Sequence, residues 1–274
     1  MTAEHIIGIY VVIDETMRVL GHARHRLAGV SDAEVLTVAV VAAAFFENHH
    51  ARALAVLRAT GYLARPLSVS HFSRRLHALA DWLALLLDVL GDLFARGQAA
   101  ICDFIIDSLP VPVCKRVRAR RCRTVRGRAY CGYCAAKGEK FFGWRLHLVC
   151  TTAGRPVAFT LLPGGWHDLT PVQELTVELP DGAWVYGDKG YNSAPDEAVI
   201  RASGGGHLVP LHKDNMVPNT LAERCGLRTF RLAIETVNSQ LTAMGLGHLH
   251  VRSVAGLEIK VHASLLALAC LNLG

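Results

Sequence analysis

The stretch WVYGDKGYN (Trp184–Asn192) runs an apolar segment into a glycine and then an aspartate, with a lysine and a second glycine behind it. An unpaired carboxylate is costly to desolvate, so Asp188 needs a partner or a cation supplied from elsewhere in the chain. Its surroundings set the fold class. AICDFIID (100–107), GWRLHLVCTT (143–152), RPVAFTLLPGG (155–165), GAWVYGD (182–188) and GHLVPLH (206–212) are short apolar runs, several closed by Gly or Pro, and read as strands. LTPVQELTVEL (169–179), APDEAVIRA (194–202) and TFRLAIETVNSQLTAM (229–244) have helical spacing. Strands first in hairpins and then alternating with helices predict an α/β fold, a mixed sheet with helices packed on its faces.

The region before it has another texture. Ser31 and Glu34 form a capping box that opens an apolar helix. After Pro66, residues Phe72, Leu76, Leu79, Leu83, Leu86 and Leu90 recur at helical spacing, with His71, Arg74, Arg75 and His77 off that stripe. Basic residues in the first turns of a short helix suit a major-groove reader as well as an ordinary bundle helix. Gly91 and Gly97 bracket the expected boundary, giving a smaller all-α domain over 1–97 and an α/β domain over 98–274.

The apolar runs are read as too short for a bilayer crossing of roughly 20 residues. VLTVAVVAAAFF lies between Glu34 and Glu47, and LALLLDVL is broken by Asp88. The first residues lack the basic start and cleavage site of a secretion signal, so the expectation is a cytoplasmic, nucleoid-associated protein, no membrane partner, and free thiols at eight cysteines. Cys131 and Cys134 form a CxxC, but no second CxxC or HxxxH stands at a zinc-binding distance.

Net charge is +6, and the excess is concentrated. KRVRARRCRTVRGR (115–128) holds eight basic residues in fourteen and no acidic one: Lys115, Arg116, Arg118, Arg120, Arg121, Arg123, Arg126 and Arg128. Such density is relieved by a polyanion, so the run, together with Arg74 and Arg75, is expected to bind DNA. Lys189 beside Asp188 is a candidate phosphate contact.

Three apolar segments each deliver a carboxylate: Asp107, Asp188 and Glu235. On the last helix Phe230, Ile234, Val237, Leu241 and Met244 make the apolar stripe, and Arg231, Glu235, Asn238 and Thr242 the polar one beside it. If that polar face crosses the strand ends, the three acids meet, an arrangement tolerable with divalent cations among them. Asp103 shares a strand face with Asp107; Asp107 is preferred because it ends the apolar run.

The motifs IIDSLPVPVCK, YCGYCAAKGEKFFGWRLHLV, LLPGGWHDLTPV, VYGDKGYNS and RLAIETVNSQL, in this order and joined by LAGVSDAEVLT and FSRRLHAL, resemble those of bacterial insertion-sequence transposases of the DDE class. The resemblance implies an RNase H-like catalytic fold, Asp107, Asp188 and Glu235 as catalytic metal ligands, and two Mg²⁺ or Mn²⁺ ions. It implies supporting roles for Arg231, Asn238 and His167; Asp168 is either a helix cap or a ligand-orienting group. Some relatives carry a Tyr and a Lys where this chain has Arg228 and Thr242. The expected function is hydrolysis at the ends of a mobile element and joining of the 3′-hydroxyl to target DNA, by a homodimer or higher oligomer. A metal nuclease without strand transfer and a catalytically idle DNA-binding regulator are the alternatives.

Overall fold

The computed structural model describes residues 1–23, 28–97, 103–135, 138–177, 179–204, 206–213 and 215–273. They form two compact units, Met1–Val89 with Gln240–Gly274, and Leu90–Ser239. The expected boundary after residue 97 meets residues 98–102, outside the described residues. The division differs from a simple N-terminal and C-terminal split, because the last 35 residues pack with the N-terminal helices.

In the first unit, α1 (Ala3–Val19), α2 (Asp32–Phe46), α3 (His50–Ala59), α4 (Val69–Ala78) and the start of α5 (Ala80–Arg96) are joined by α9 (Val254–Leu271). The Ser31–Glu34 capping box opens α2, with Ser31 Oγ accepting from Glu34 N–H at 3.1 Å. Apolar residues surround α2 and α9 on all sides, so each is buried on nearly its whole circumference, and α9 packs along α2. By length and composition α9 could cross a membrane, with mean hydropathy 1.7 over 18 residues, so the expectation that every apolar run falls short does not hold for it. Burial in this unit accounts for its apolarity. Asn48, in a left-handed conformation after α2, donates to Met244 O at 2.9 Å and Ser264 Oγ at 3.0 Å and ties the turn to the chain's end. The leucine stripe predicted after Pro66 is buried at all six positions, but the segment breaks at Leu79 into α4 and α5.

The second unit is built on a sheet of β1 (Asp103–Lys115), β2 (Cys131–Cys134), β3 (Glu139–Thr151), β4 (Pro156–Pro163), β5 (Trp184–Gly187) and β6 (His207–Pro210), in the order β2-β3-β1-β5-β6 with β4 also on β3. β3 runs antiparallel to β1, β2 and β4; β5 runs parallel to β1 and β6 parallel to β5. β2 and β4 share one edge of β3, pairing with residues 139–142 and 144–150. Phe104, Ile105 and Ile106 are buried in succession because helices cover both faces. On one face Phe104, Ile106, Val185 and Leu208 pack with Val172 and Leu175 of α6 (Val172–Val177) and Ile200 of α7 (Ala194–Gly204). On the other, Phe230 of α8 (Leu221–Ala243) lies against Tyr186, ring centroids 5.0 Å apart.

This is the mixed sheet between helices, with a helical region before it, that an RNase H-like domain has. The five predicted strands and three predicted helices are present; β2 and α9 were not anticipated. β1 runs past Asp107 to Lys115, so Asp107 does not end its strand. Its partner β5 reaches only as far as Ile105, and beyond that point β1 has a free edge, which tolerates Pro110 and Pro112.

Candidate functional site

Asp107 lies on β1 just past the last residue paired with β5, and Asp188 follows the end of β5. Two parallel strands thus carry one carboxylate each to the place where their pairing with each other ends. Asp107 Oδ1 accepts from Ser108 N–H at 2.7 Å, and Oδ2 from Asn238 Nδ2 at 2.7 Å. Asp188 Oδ1 accepts from Gly190 N–H at 2.7 Å and caps the single helical turn that follows.

A third acid joins them. A methyl group on Gly190 would stand 2.9 Å from Asp188 Oδ1 and 3.2 Å from Asp168 Oδ2, so the two carboxylates flank this glycine. Burial pushes the Asp107 carboxyl up to about 6; the Asp188 and Asp168 charges push the same way, against the bonds from Ser108 and Asn238. Asp188 is raised too, by burial and then by Asp168, while the Gly190 N–H and Arg145 oppose the rise.

Arg145 and His147, alternate residues of β3, stand behind Asp168. Arg145 Nη1 is 3.5 Å from Asp168 Oδ1 and donates to Ser108 Oγ at 3.0 Å, while Nη2 donates to Tyr133 O at 2.8 Å. His147 is fully buried, with Nδ1 4.0 Å from Asp168 Oδ1, and burial lowers its pKa to about 4, which keeps the ring neutral. Tyr191 is buried as well; its hydroxyl is raised well above its ordinary value by burial and then by Asp107, Asp168 and Asp188.

The expected meeting of Glu235 with the two aspartates is replaced by another pairing. Glu235 sits on α8 one turn before Asn238, but its Oε1 accepts from Arg231 Nε at 2.9 Å on an exposed face. Asn238 is the residue of that polar stripe that reaches Asp107. Asp103 is occupied differently, hydrogen-bonded to the Tyr186 hydroxyl. Asp168 makes no helix cap: α6 starts only at Val172, and Asp168 Oδ1 is buried with no hydrogen-bond partner. His167 Nδ1 accepts from Leu169 N–H at 3.3 Å, a turn contact.

The DNA-binding candidates fall into two sets. Lys115 ends β1, and Arg116 to Arg128 follow it, with helical turns at Arg116–Arg121 and Arg128–Tyr130; all eight basic side chains are exposed, and among the described residues none is paired with a carboxylate. Arg74 and Lys189 are exposed. Arg75 is not available in this way: it donates to Val30 O at 2.8 Å and to Asp32 Oδ1, fastening α4 to the start of α2. The seven described cysteines are free thiols; Cys102 lies outside the described residues.

Hard carboxylate oxygens at a desolvated site suit a divalent cation such as Mg²⁺ or Mn²⁺. The rise of the Asp107 and Asp188 carboxyls, to which burial and neighbouring acids contribute, fits a missing positive charge. Among the described residues no three His, Cys, Asp or Glu side chains are close enough to hold one ion between them.

Sequence reasoning passed over Arg145, Ser108 and Tyr191. Arg145 did carry a signal: GWRLHLV sets an arginine and a histidine two residues apart inside an apolar strand, which puts both on one buried face.

The sequence model of the family described as transposase DDE domain matches residues 96–254, more than half of the chain. No curated protein and no solved structure gives a match.

Proposed function

The chain belongs to the family of transposases that carry a DDE domain, and from that membership we propose a cut-and-rejoin enzyme acting on the ends of a mobile element and on target DNA. The observation that carries the reading is the pair Asp107 and Asp188, each two residues past the last pair of the parallel strands β1 and β5, with burial and the Asp188 charge both raising the Asp107 carboxyl. Divalent ions held by Asp107 and Asp188, with Glu235 swung in from α8, would activate the attacking oxygen and stabilise the leaving one.

The chain's own residues do the rest. Asn238 fixes the Asp107 carboxylate in one orientation, and Arg145 holds Ser108 and Asp168 behind it. Lys189, next to Asp188, would contact a phosphate of the bound strand. The exposed basic run 115–128 holds the DNA backbone by phosphate contacts, and the helical N-terminal region supplies end recognition. Hydrolysis of a phosphodiester at the element's end leaves a 3′-hydroxyl, which then attacks a phosphodiester of the target; the new P–O bond joins the element to the target's 5′ side, and the target strand's 3′-oxygen leaves as a 3′-hydroxyl. Two ends have to be joined, so the working form is a homodimer or larger.

The test is a strand-transfer assay with labelled element ends, Mg²⁺ and a target plasmid. Joined product in the wild type, lost in Asp188→Ala, is expected. Cleaved DNA that is never joined would leave a nuclease, and DNA effects untouched by Asp188→Ala would leave only a binding protein.

A further inference from the structure

The first unit holds a cluster of ionisable groups that the catalytic site does not use. His49 and His50 stand at the start of α3, His77 at the end of α4, His250 in the turn after α8, and Lys260 on α9. The rings of His49 and His250 lie 6.2 Å apart. Lys260 Nζ donates to His250 O at 3.1 Å, and a methyl group on Gly256, in the first turn of α9, would lie 4.0 Å from His77 Cε1. His50 is the inward member, its ring edge-on to Phe72 at 5.2 Å and its Nε2 buried without a hydrogen-bond partner. Burial holds it neutral, its pKa lowered to about 4, and the charges that add to this come from Lys260, His77 and His49, all of one sign. His49, His77 and His250 are exposed, as are Arg74 on α4, one turn before His77, and Arg252 beside the N-cap of α9.

Four elements therefore bring ionisable cations to one place, with His50 set beneath them. The acidic side chains on the same elements are Glu47, just past α2, and Glu258 of α9, and neither is among the charges that bear on His50. Among the described residues no three of these histidines stand at metal-holding spacing, so a cation is the wrong occupant. Lys260, Arg74 and Arg252 carry positive charge here and the histidines add N–H donors, a set that suits an anion, and a repeating polyanion satisfies groups spread over several elements better than a single phosphate does.

We propose that His49, His77, His250 and Lys260, with Arg74 and Arg252 at the edges, form a contact surface for the phosphodiester backbone of duplex DNA. The surface is distinct from the basic run 115–128, and it rests on the reading that this chain acts on DNA. Histidines make the contact dependent on protonation: a phosphate stabilises the imidazolium, so binding tightens as pH falls through the histidine range. The contact carries no base readout and fixes position on the duplex.

The test measures binding of the full chain to a mixed-sequence duplex by fluorescence anisotropy, across salt concentrations at pH 6 and pH 8, for the wild type and for His49→Gln/His77→Gln/His250→Gln. These positions are exposed, and thermal unfolding of the variant checks that it folds. The wild type is expected to bind more tightly at pH 6 with a steeper salt dependence, and the variant to lose most of that difference. The slope of log affinity against log salt should shrink by about 0.9 for each phosphate that the variant no longer neutralises. If a folded variant keeps the wild-type slopes at both pH values, the surface does not bind DNA. A Lys260→Met variant provides a second, independent reading of the slope. Strand cleavage of element-end DNA is assayed in parallel: a wild type that neither binds nor cuts DNA overturns the DNA reading itself, whereas one that cuts normally beside an unaffected variant overturns only this surface.

Discussion

Asn238 donates its amide to Asp107 Oδ2 at 2.7 Å, joining α8 to β1 across 131 positions of sequence. The bond favours the ionised form of a carboxyl that burial pushes up to about 6. Asn238→Ala removes it, so the Asp107 pKa rises further and the acid limb of the activity profile moves to higher pH. A pH–rate series at saturating Mg²⁺ checks this; an unshifted limb with lower activity throughout would mean that Asn238 serves only to dock the helix.

Asp107→Asn separates stability from chemistry. The folded pKa near 6 lies above the ordinary value of 3.8, so this group's contribution is favourable below about pH 4 and is lost as pH rises through 6. The asparagine does not ionise. Without metal, the variant is expected to be more stable than the wild type at pH 7.5, by on the order of 2 kcal/mol, with the gap closing toward pH 4. Added Mg²⁺ should stabilise the wild type and not the variant. Thermal unfolding with and without chelator reads both effects, and cleavage activity should be abolished.

Glu235→Gln tests whether α8 contributes its carboxylate during the reaction. The Arg231–Glu235 pair is exposed, and such pairs contribute roughly 0.2–1 kcal/mol, so the melting temperature should scarcely move. Cleavage and joining are expected to fall to background. Retained activity would assign the third acidic role elsewhere, with Asp168 next in line.

Arg145→Met keeps bulk while deleting the bonds to Ser108 Oγ and Tyr133 O and the positive charge beside Asp168. A loss of about 1.5–3 kcal/mol in urea unfolding is expected. Asp188 also loses a charge that lowers its pKa, so residual activity should need higher pH. Arg145→Lys should recover the charge but not both hydrogen bonds, giving an intermediate result.

Gly226→Ala tests how α8 is seated. A Cβ there would come within 2.5 Å of the Tyr186 ring, so the helix has to shift or the ring has to move. The expected cost is roughly 1–3 kcal/mol, with a fall in kcat from displaced Asn238. Activity and denaturant midpoint unchanged together would show that the ring gives way.

Much of this protein is fixed by local pattern. Short apolar runs ended by Gly or Pro and one amphipathic helix with a polar stripe were enough to identify five strands and the main helices, because period and punctuation are properties of consecutive residues. The same logic marked Asp107 and Asp188 as charges at the ends of apolar segments. Other features depend on residues far apart in the chain. That α9 belongs with α2, that Asp168 rather than Glu235 lies beside Asp188, that Asn238 reaches Asp107 and that Arg75 serves α2 instead of a ligand were settled by tertiary packing. The sequence determines which groups need a partner, since desolvation and charge follow from residue type and neighbours; only the folded chain decides which partner each one meets, since side-chain contacts between distant segments depend on strand order, register and helix seating.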